Sequence, residues 1–388
     1  MHLLVIRFSA MGDVALTIPV ISSLVSSYPD IRITFVTRKE YEPFFYNIPG
    51  VEIIGVNLKD KHYRGIQGIY RLYKELKRLG PYDYGIDLHG SLRSKLLQLF
   101  FGKELKFATI VKGRKEKRLQ TRRKNKILKP LPHTVERYLH VFERAGFYPK
   151  LLKGAYISLD LQAKKIAKDY LIKNRIYKKE ELWIGIAPFA GHIPKTWPFF
   201  KIKQLLNLIK YNLKCKVFLF GGGKKEIKLL NELHNEFPDF TYVVAGNLTL
   251  DGEMALIERL DLMIAMDSFN MHIASLIGIP VISIWGATHP YSGFGPYGQS
   301  ENTIVQIPTE ILSCRPCAIF GNKKCYRKDL ACMYWIEPED VYEKICEILK
   351  LPIPDFIKNR NTVINNYKKQ KNLLSTVSDN KINSNTSK

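Results

Sequence analysis

With 388 residues the chain is long enough for two or three domains, and an apolar content of 46% supports packed cores and excludes a wholly disordered chain. Sixty lysines and arginines against 36 acidic residues leave a formal net charge of +24, which points to an anionic partner such as nucleic acid, a membrane surface or a phosphorylated substrate. No apolar run approaches the roughly 18–20 residues of a membrane span, and the N-terminal run is broken by Arg7 and Asp13 before any cleavage-like site, so a cytoplasmic protein without a signal peptide is expected.

In chain order, residues 2–6 predict a short apolar strand, RFSAMGDV a turn, and residues 15–25 a helix. Strands over 31–36, 53–56 and 84–87, with a helix over 68–79, continue the alternation of a parallel sheet covered by helices on both faces. From Lys103 to Lys129 twelve basic residues face two acidic ones, with few core candidates. Residues 133–146 regain helical spacing, and a connection plus a lysine-rich helix follow over 150–181, which places a domain boundary near residues 150–180.

The second half repeats the pattern. Strands are predicted over 183–187, 216–220, 241–245, 262–266 and 281–285, and helices over 199–211, 224–237 and 252–260 and between Ser268 and Gly278. A last helix spans 338–349. The Lys, Asn and Ser-rich residues 358–388 read as a disordered polar tail. Two such halves predict an α/β protein of two Rossmann-like, doubly wound domains, residues 1–165 and 175–350, facing a central cleft.

Ligands of doubly wound sheets bind beyond the carboxyl ends of the strands, and the residues with useful chemistry cluster there. Asp13 follows the first strand, where a carboxylate is a candidate general base or a helix cap. Lys195 lies on the loop after the strand at 183–187 and suits a phosphate. In GGGKKE the glycines let a ligand approach backbone, and Glu226 fits either a ribose or the exposed first turn of a helix. Asp267 or Ser268 can cap the following helix, whose free N–H groups suit a diphosphate; Gly286 opens a glycine-rich loop after the next strand. Cys314, Cys317, Cys325 and Cys332 fit four thiolates around a structural zinc, reduced packed thiols or a redox-sensitive disulfide; no other metal ligand set is expected.

RFSAMGDV, DLHGSLRS, HTVERY, the Lys-x-Trp-Pro loop, GGG, DSFNMHIA and WGATHPYSGFGPYG occur in an order that resembles glycosyltransferase family 9, the heptosyltransferases of lipopolysaccharide core assembly. The resemblance implies a GT-B fold and inverting, metal-independent transfer with no required cofactor. The donor implied is a nucleotide sugar, ADP-heptose, and the acceptor the anionic inner-core precursor Kdo-lipid A, met at the cytoplasmic face of the inner membrane. It implies Asp13 as base and Lys195 as the group that meets the leaving diphosphate. Gly222, Glu226, Asp267, Ser268, His272 and Gly286 would hold the donor, and Arg7, Ser9, Met11, Gly12, His89, Arg93 and Arg137 the acceptor. Phe269 departs from the small residue usual beside the donor, which brings the identity of the sugar into question.

Three alternatives compete: transfer of another activated sugar to a cell-surface glycan, a GT-B-like nucleotide-sugar epimerase, and a non-catalytic nucleic-acid-binding protein. Against the last, the run 103–129 interleaves only Phe107 among its cations, so no nucleic-acid partner is expected.

Overall fold

Apolar runs such as Leu3–Ile6, Ile33–Val36 and Leu262–Met266 lie at or near 0% exposure; strands buried on both faces are what parallel sheets covered by helices require. The computed structural model describes residues 1–370. Strands β1 (His2–Ile6), β2 (Arg32–Arg38), β3 (Val51–Val56), β4 (Tyr84–Asp87) and β5 (Phe107–Thr109) form one parallel sheet in the order β3-β2-β1-β4-β5. Strands β6 (Leu182–Ala187), β7 (Cys215–Leu219), β8 (Thr241–Val243), β9 (Leu262–Met266), β10 (Val281–Trp285) and β11 (Ile304–Gln306) form the second, in the order β11-β10-β9-β6-β7-β8, again parallel.

Each order reverses once, between β1 and β4 in the first sheet and between β6 and β9 in the second. At such a switch point the flanking connections leave to opposite faces and open a crevice at the strands' carboxyl ends. Asp13 and His89 follow β1 and β4; Lys195 and Asp267 follow β6 and β9. Strand topology therefore brings Asp13 to the same sheet end as His89, 76 positions on, and Lys195 to the same sheet end as Asp267, 72 positions on.

The two sheets' layers touch along one seam. The Thr134 hydroxyl donates to the Gly293 carbonyl at 2.8 Å, the Tyr156 N–H to the Leu276 carbonyl at 2.7 Å, and the Phe44 and Phe269 rings stack at 5.7 Å. The basic stretch is less solvated than its composition suggests. Within it, β5 and a helix over Arg114–Gln120 form, and buried Gln120 accepts from the Ser292 hydroxyl at 2.9 Å and donates to the Tyr291 carbonyl at 2.9 Å. One buried amide thus pins the run to the second half.

The expected disordered tail is corrected over 358–370. Residues 363–370 are helical, and buried Arg360 pairs with the carboxylates of Asp340 (3.3 Å) and Glu343 (2.6 Å) of the helix Pro338–Leu349. The Thr362 hydroxyl donates to Asp340 at 2.7 Å. Polar anchoring replaces the apolar periodicity on which the expectation rested. The rest of that expectation, residues 371–388, lies outside the described residues.

Among the described residues no helix is long and apolar enough to cross a membrane. A helix missing from the sequence reading, Leu92–Phe101, is apolar around its circumference; Leu97 and Phe101 point inward while Leu92 and Leu99 are 77% and 70% exposed. Without one apolar stripe it gave no helical period to read.

Candidate active site

Beyond β1 the chain turns into a short helix, Met11–Ala15. Asp13 reaches back to the Ala10 N–H at 3.4 Å, a weak cap, but lies 2.6 Å from the Arg7 guanidinium. Arg7 is buried and also donates to the Leu88 carbonyl beyond β4 at 2.6 Å. The Tyr138 hydroxyl donates to the Asp13 backbone carbonyl at 3.0 Å, and the Arg7 guanidinium lies 5.7 Å from its ring centre. Backbone and carboxylate of Asp13 are thus held from two sides.

Asp13 borders a cavity of about 590 Å³ lined by Arg7, Ser9, His89, Lys112, Arg114, Lys117 and Arg137, with Phe294, Ile319 and Phe320 on its apolar wall. Asp13 is the only acidic residue of the lining among the described residues. Burial, with Arg137 nearby, pushes Lys117 down to about 8, and burial with Arg7 lowers Lys112. Burial, helped by Arg7 and Lys112, takes His89 down to about 3, leaving it neutral. Crowded, partly desolvated cations with one carboxylate among them make a site that gains from a bound anion.

In the second half Asp267 does not cap its helix. It lies 3.0 Å from the Lys195 ammonium and accepts from the Thr288 hydroxyl at 2.8 Å. Ser268 takes the N-cap position of the helix Phe269–Ile277 in extended conformation, yet its hydroxyl is buried and unpaired. The first N–H groups of that helix therefore lack a side-chain cap, the arrangement that binds phosphate.

A second cavity, about 480 Å³, spans the carboxyl ends of β6 to β9 and is lined by Ala190, Gly191, Gly221 to Gly223, Glu226, Gly246, Leu250, Glu253, Ser268, Phe269 and Asn270, with Met11 from the first half. The two cavities share one wall, residues 10–13, with Asp13 on one side and Met11 on the other. His272 closes this wall: a Cβ on Gly12 would stand 2.8 Å from its ring, so only glycine admits the imidazole. Burial pushes His272 down to about 4, so it is neutral, and its Nδ1 is unpaired.

Of the residues singled out from sequence, Arg7, Ser9, Asp13, His89 and Arg137 meet at the first cavity, and Gly222, Glu226 and Ser268 at the second. Lys195 and Asp267 form an ion pair beside the second, and Gly12 and His272 form the junction. Three residues lie elsewhere than the resemblance implied. Met11 lines the second cavity, not the first, because the short helix turns it away from Asp13. Gly286 serves packing: a Cβ there would lie 2.5 Å from the Pro194 carbonyl oxygen, so it seats the Lys195 loop. Arg93 lines neither cavity among the described residues, although its charge helps hold His89 neutral. Glu226, for its part, also accepts from the Gly222 N–H at 2.8 Å, so it holds the glycine turn while facing the cavity.

Sequence reasoning missed Thr288, Tyr138 and Glu253 and could not pick Lys112 and Lys117 from twelve basic residues. Thr288 and Tyr138 stood inside quoted motifs without a role; Glu253 carried no signal, since its spacing reads as a helix surface.

The four clustered cysteines line one narrow gap beside Ala287. All are free thiols, and burial pushes Cys332 up to about 12. Among the described residues no three His, Cys, Asp or Glu side chains are grouped to hold a metal ion. The segment's buried Arg315 donates to the carbonyls of Gly286 at 2.6 Å, Thr288 at 3.1 Å and Ile307, and to the Gln306 side chain at 2.9 Å. It braces the loop that carries Thr288 to Asp267.

The sequence model of glycosyltransferase family 9 (heptosyltransferase) matches residues 69–319. The chain is 25% identical over 308 residues to the lipopolysaccharide core heptosyltransferase OpsX of Haemophilus influenzae, covering 78% of this chain and 83% of that one. It is 27% identical over 374 residues to lipooligosaccharide heptosyltransferase 2 of the same organism, covering 90% and 99%. Among solved structures it resembles a family 9 glycosyl transferase of Veillonella parvula (19% identity, TM-score 0.70, 90% and 97% covered) and the Escherichia coli heptosyltransferase WaaC with ADP (18% identity, TM-score 0.60, 90% and 100% covered). The chain belongs to glycosyltransferase family 9 and is a heptosyltransferase-like glycosyltransferase with the GT-B fold.

Proposed function

We propose that this enzyme transfers heptose from ADP-heptose to a hydroxyl of a Kdo-lipid A inner core, with residues 1–165 receiving the acceptor and 175–350 the donor. The observation that carries this reading is the shared wall: a cation-lined cavity holding one carboxylate, Asp13, stands back to back with a cavity that meets an uncapped helix N-terminus. Phosphates and carboxylates of the acceptor suit the first, a nucleoside diphosphate the second.

In this reading the Asp13 carboxylate takes the proton of the acceptor hydroxyl while that oxygen bonds to the anomeric carbon. The bond from the anomeric carbon to the diphosphate oxygen breaks, its electron pair leaving with ADP. Lys195 and the first N–H groups of helix Phe269–Ile277 meet the charge that develops there, so no metal is assigned a step. Arg7 keeps the carboxylate aimed. The Phe269 ring stacks on Phe44 at an interplanar angle of 27° and also lines the second cavity, so a bulky apolar face borders the donor.

The test is transfer by the purified enzyme, without added divalent metal, from ADP-heptose and from GDP- and UDP-sugars to Kdo-lipid A, read by mass. A gain of one heptose from the ADP donor alone is expected. Turnover of a GDP- or UDP-sugar in preference overturns the donor assignment, and nucleic-acid binding without any transfer overturns the whole reading.

A further inference from the structure

Glu253 sits in the first turn of the helix Leu250–Ile257, which crosses from β8 to β9, and its side chain borders the 480 Å³ cavity. No hydrogen bond or ion pair reaches its carboxyl group among the described residues. Glu226, the other carboxylate on this cavity, is by contrast held by the Gly222 N–H at 2.8 Å.

Strand order fixes where this group would meet a ligand. The uncapped helix end follows β9, and β6, β7 and β8 lie successively farther along the same sheet. At about 4.8 Å per strand, the β8 end lies roughly 14 Å from the β9 end, comparable to the reach of an extended nucleoside diphosphate. A diphosphate at Ser268 therefore runs past Glu226 and ends at Gly246, Leu250 and Glu253. Gly246 and Leu250 offer a flat apolar wall; among the described residues lining that end, Glu253 is the one side chain able to hydrogen-bond a base.

We propose that Glu253 reads the nucleotide base, its neutral carboxyl group accepting from the exocyclic amine of adenine and donating to the adjacent ring nitrogen, which selects adenine over guanine. This rests on reading the cavity as the nucleotide site. A carboxylic acid presents one donor and one acceptor, whereas a carboxylate presents acceptors only. Guanine offers two adjacent N–H donors on its pairing edge and would match the ionised form. Burial pushes Glu253 up to about 8, so at neutral pH the form that fits adenine predominates.

The charged groups nearby do not supply a counter-charge. On its own helix and that helix's end stand Asp251 and Glu258, the latter paired with Lys164 at 3.1 Å. The packed segments contribute Lys39, Glu40 and Glu42 from residues 39–44, and Lys165, Lys168, Asp169 and Lys173 from helix Leu161–Lys173. The helix Phe269–Ile277 contributes His272, which is neutral. None of them bonds to Glu253 among the described residues.

The test is calorimetric titration of the full chain with ADP and with GDP at pH 7 and pH 9.5, for the wild type, Glu253→Gln and Glu253→Ala, after circular dichroism confirms folding. A glutamine amide keeps one donor and one acceptor at every pH. The expected result is ADP preferred over GDP at pH 7, near-normal ADP affinity in Glu253→Gln, and about tenfold weaker ADP binding in Glu253→Ala. Between pH 7 and pH 9.5 the wild type should lose about tenfold more ADP affinity than Glu253→Gln, which controls for every other titrating group. ADP binding by Glu253→Ala equal to wild type, or equal pH dependence of wild type and Glu253→Gln, overturns the assignment while leaving the nucleotide site intact. Wild type that binds neither nucleotide overturns the nucleotide reading and this inference with it.

Discussion

Asp13→Ala is expected to slow transfer by about a thousandfold, within the range of removing a general base, while ADP affinity stays within a factor of two of wild type. The separation follows from the wall between the cavities: the Asp13 carboxylate faces the cation-lined side, and Met11 and Ser268 border the other. Removing the carboxylate also leaves buried Arg7 with the Leu88 carbonyl as its remaining close partner, so a loss of stability accompanies the kinetic effect. Asp13→Asn keeps the shape and a hydrogen bond to Arg7 without the basicity; it should fold like wild type and remain as inactive as the alanine variant. Steady-state transfer together with ADP titration checks both. Transfer by Asp13→Asn within tenfold of wild type would remove Asp13 from the role of base.

The second large effect is at Lys195. Lys195→Met should lower kcat by about 10² to 10³, the scale of losing one preorganised group at a developing charge. It should also destabilise the fold by about 3 kcal/mol, because the poorly exposed Asp267 carboxylate keeps only the Thr288 hydroxyl. Lys195→Met combined with Asp267→Asn separates the roles: melting temperature should recover, since no unpaired buried charge remains, and transfer should not. Recovery of transfer in the double variant would make Lys195 merely the counter-charge of Asp267.

Much of the fold was legible because buried parallel strands leave continuous apolar runs. Tyr84–Asp87, Leu262–Met266 and Val281–Trp285 lie where the runs place them. Short edge strands were not: Phe107–Thr109 and Ile304–Gln306 owe their place to one neighbour each, and three residues carry no period. The helix Leu92–Phe101 hid because its outward face is as apolar as its inward face.

The candidate site divides in the same way. Asp13, Lys195 and Asp267 could be found because each follows a strand and falls within a motif. Their pairings could not, since Arg7 with Asp13 and Lys195 with Asp267 depend on where two loops meet. Gly12 illustrates the limit: it reads as a turn residue, yet its constraint comes from an imidazole 260 positions away in the other half. Lys112 and Lys117 were invisible among equivalent cations until burial set them apart.

The most direct test is the anomeric configuration of the product. A single displacement, with Asp13 drawing the proton from the acceptor and the diphosphate leaving on the opposite face, predicts a glycosidic linkage of configuration opposite to that of the donor sugar, read by NMR of the purified product. A product that retains the donor's configuration would require a second displacement, and would contradict the assignment of Asp13 as a base acting directly on the acceptor.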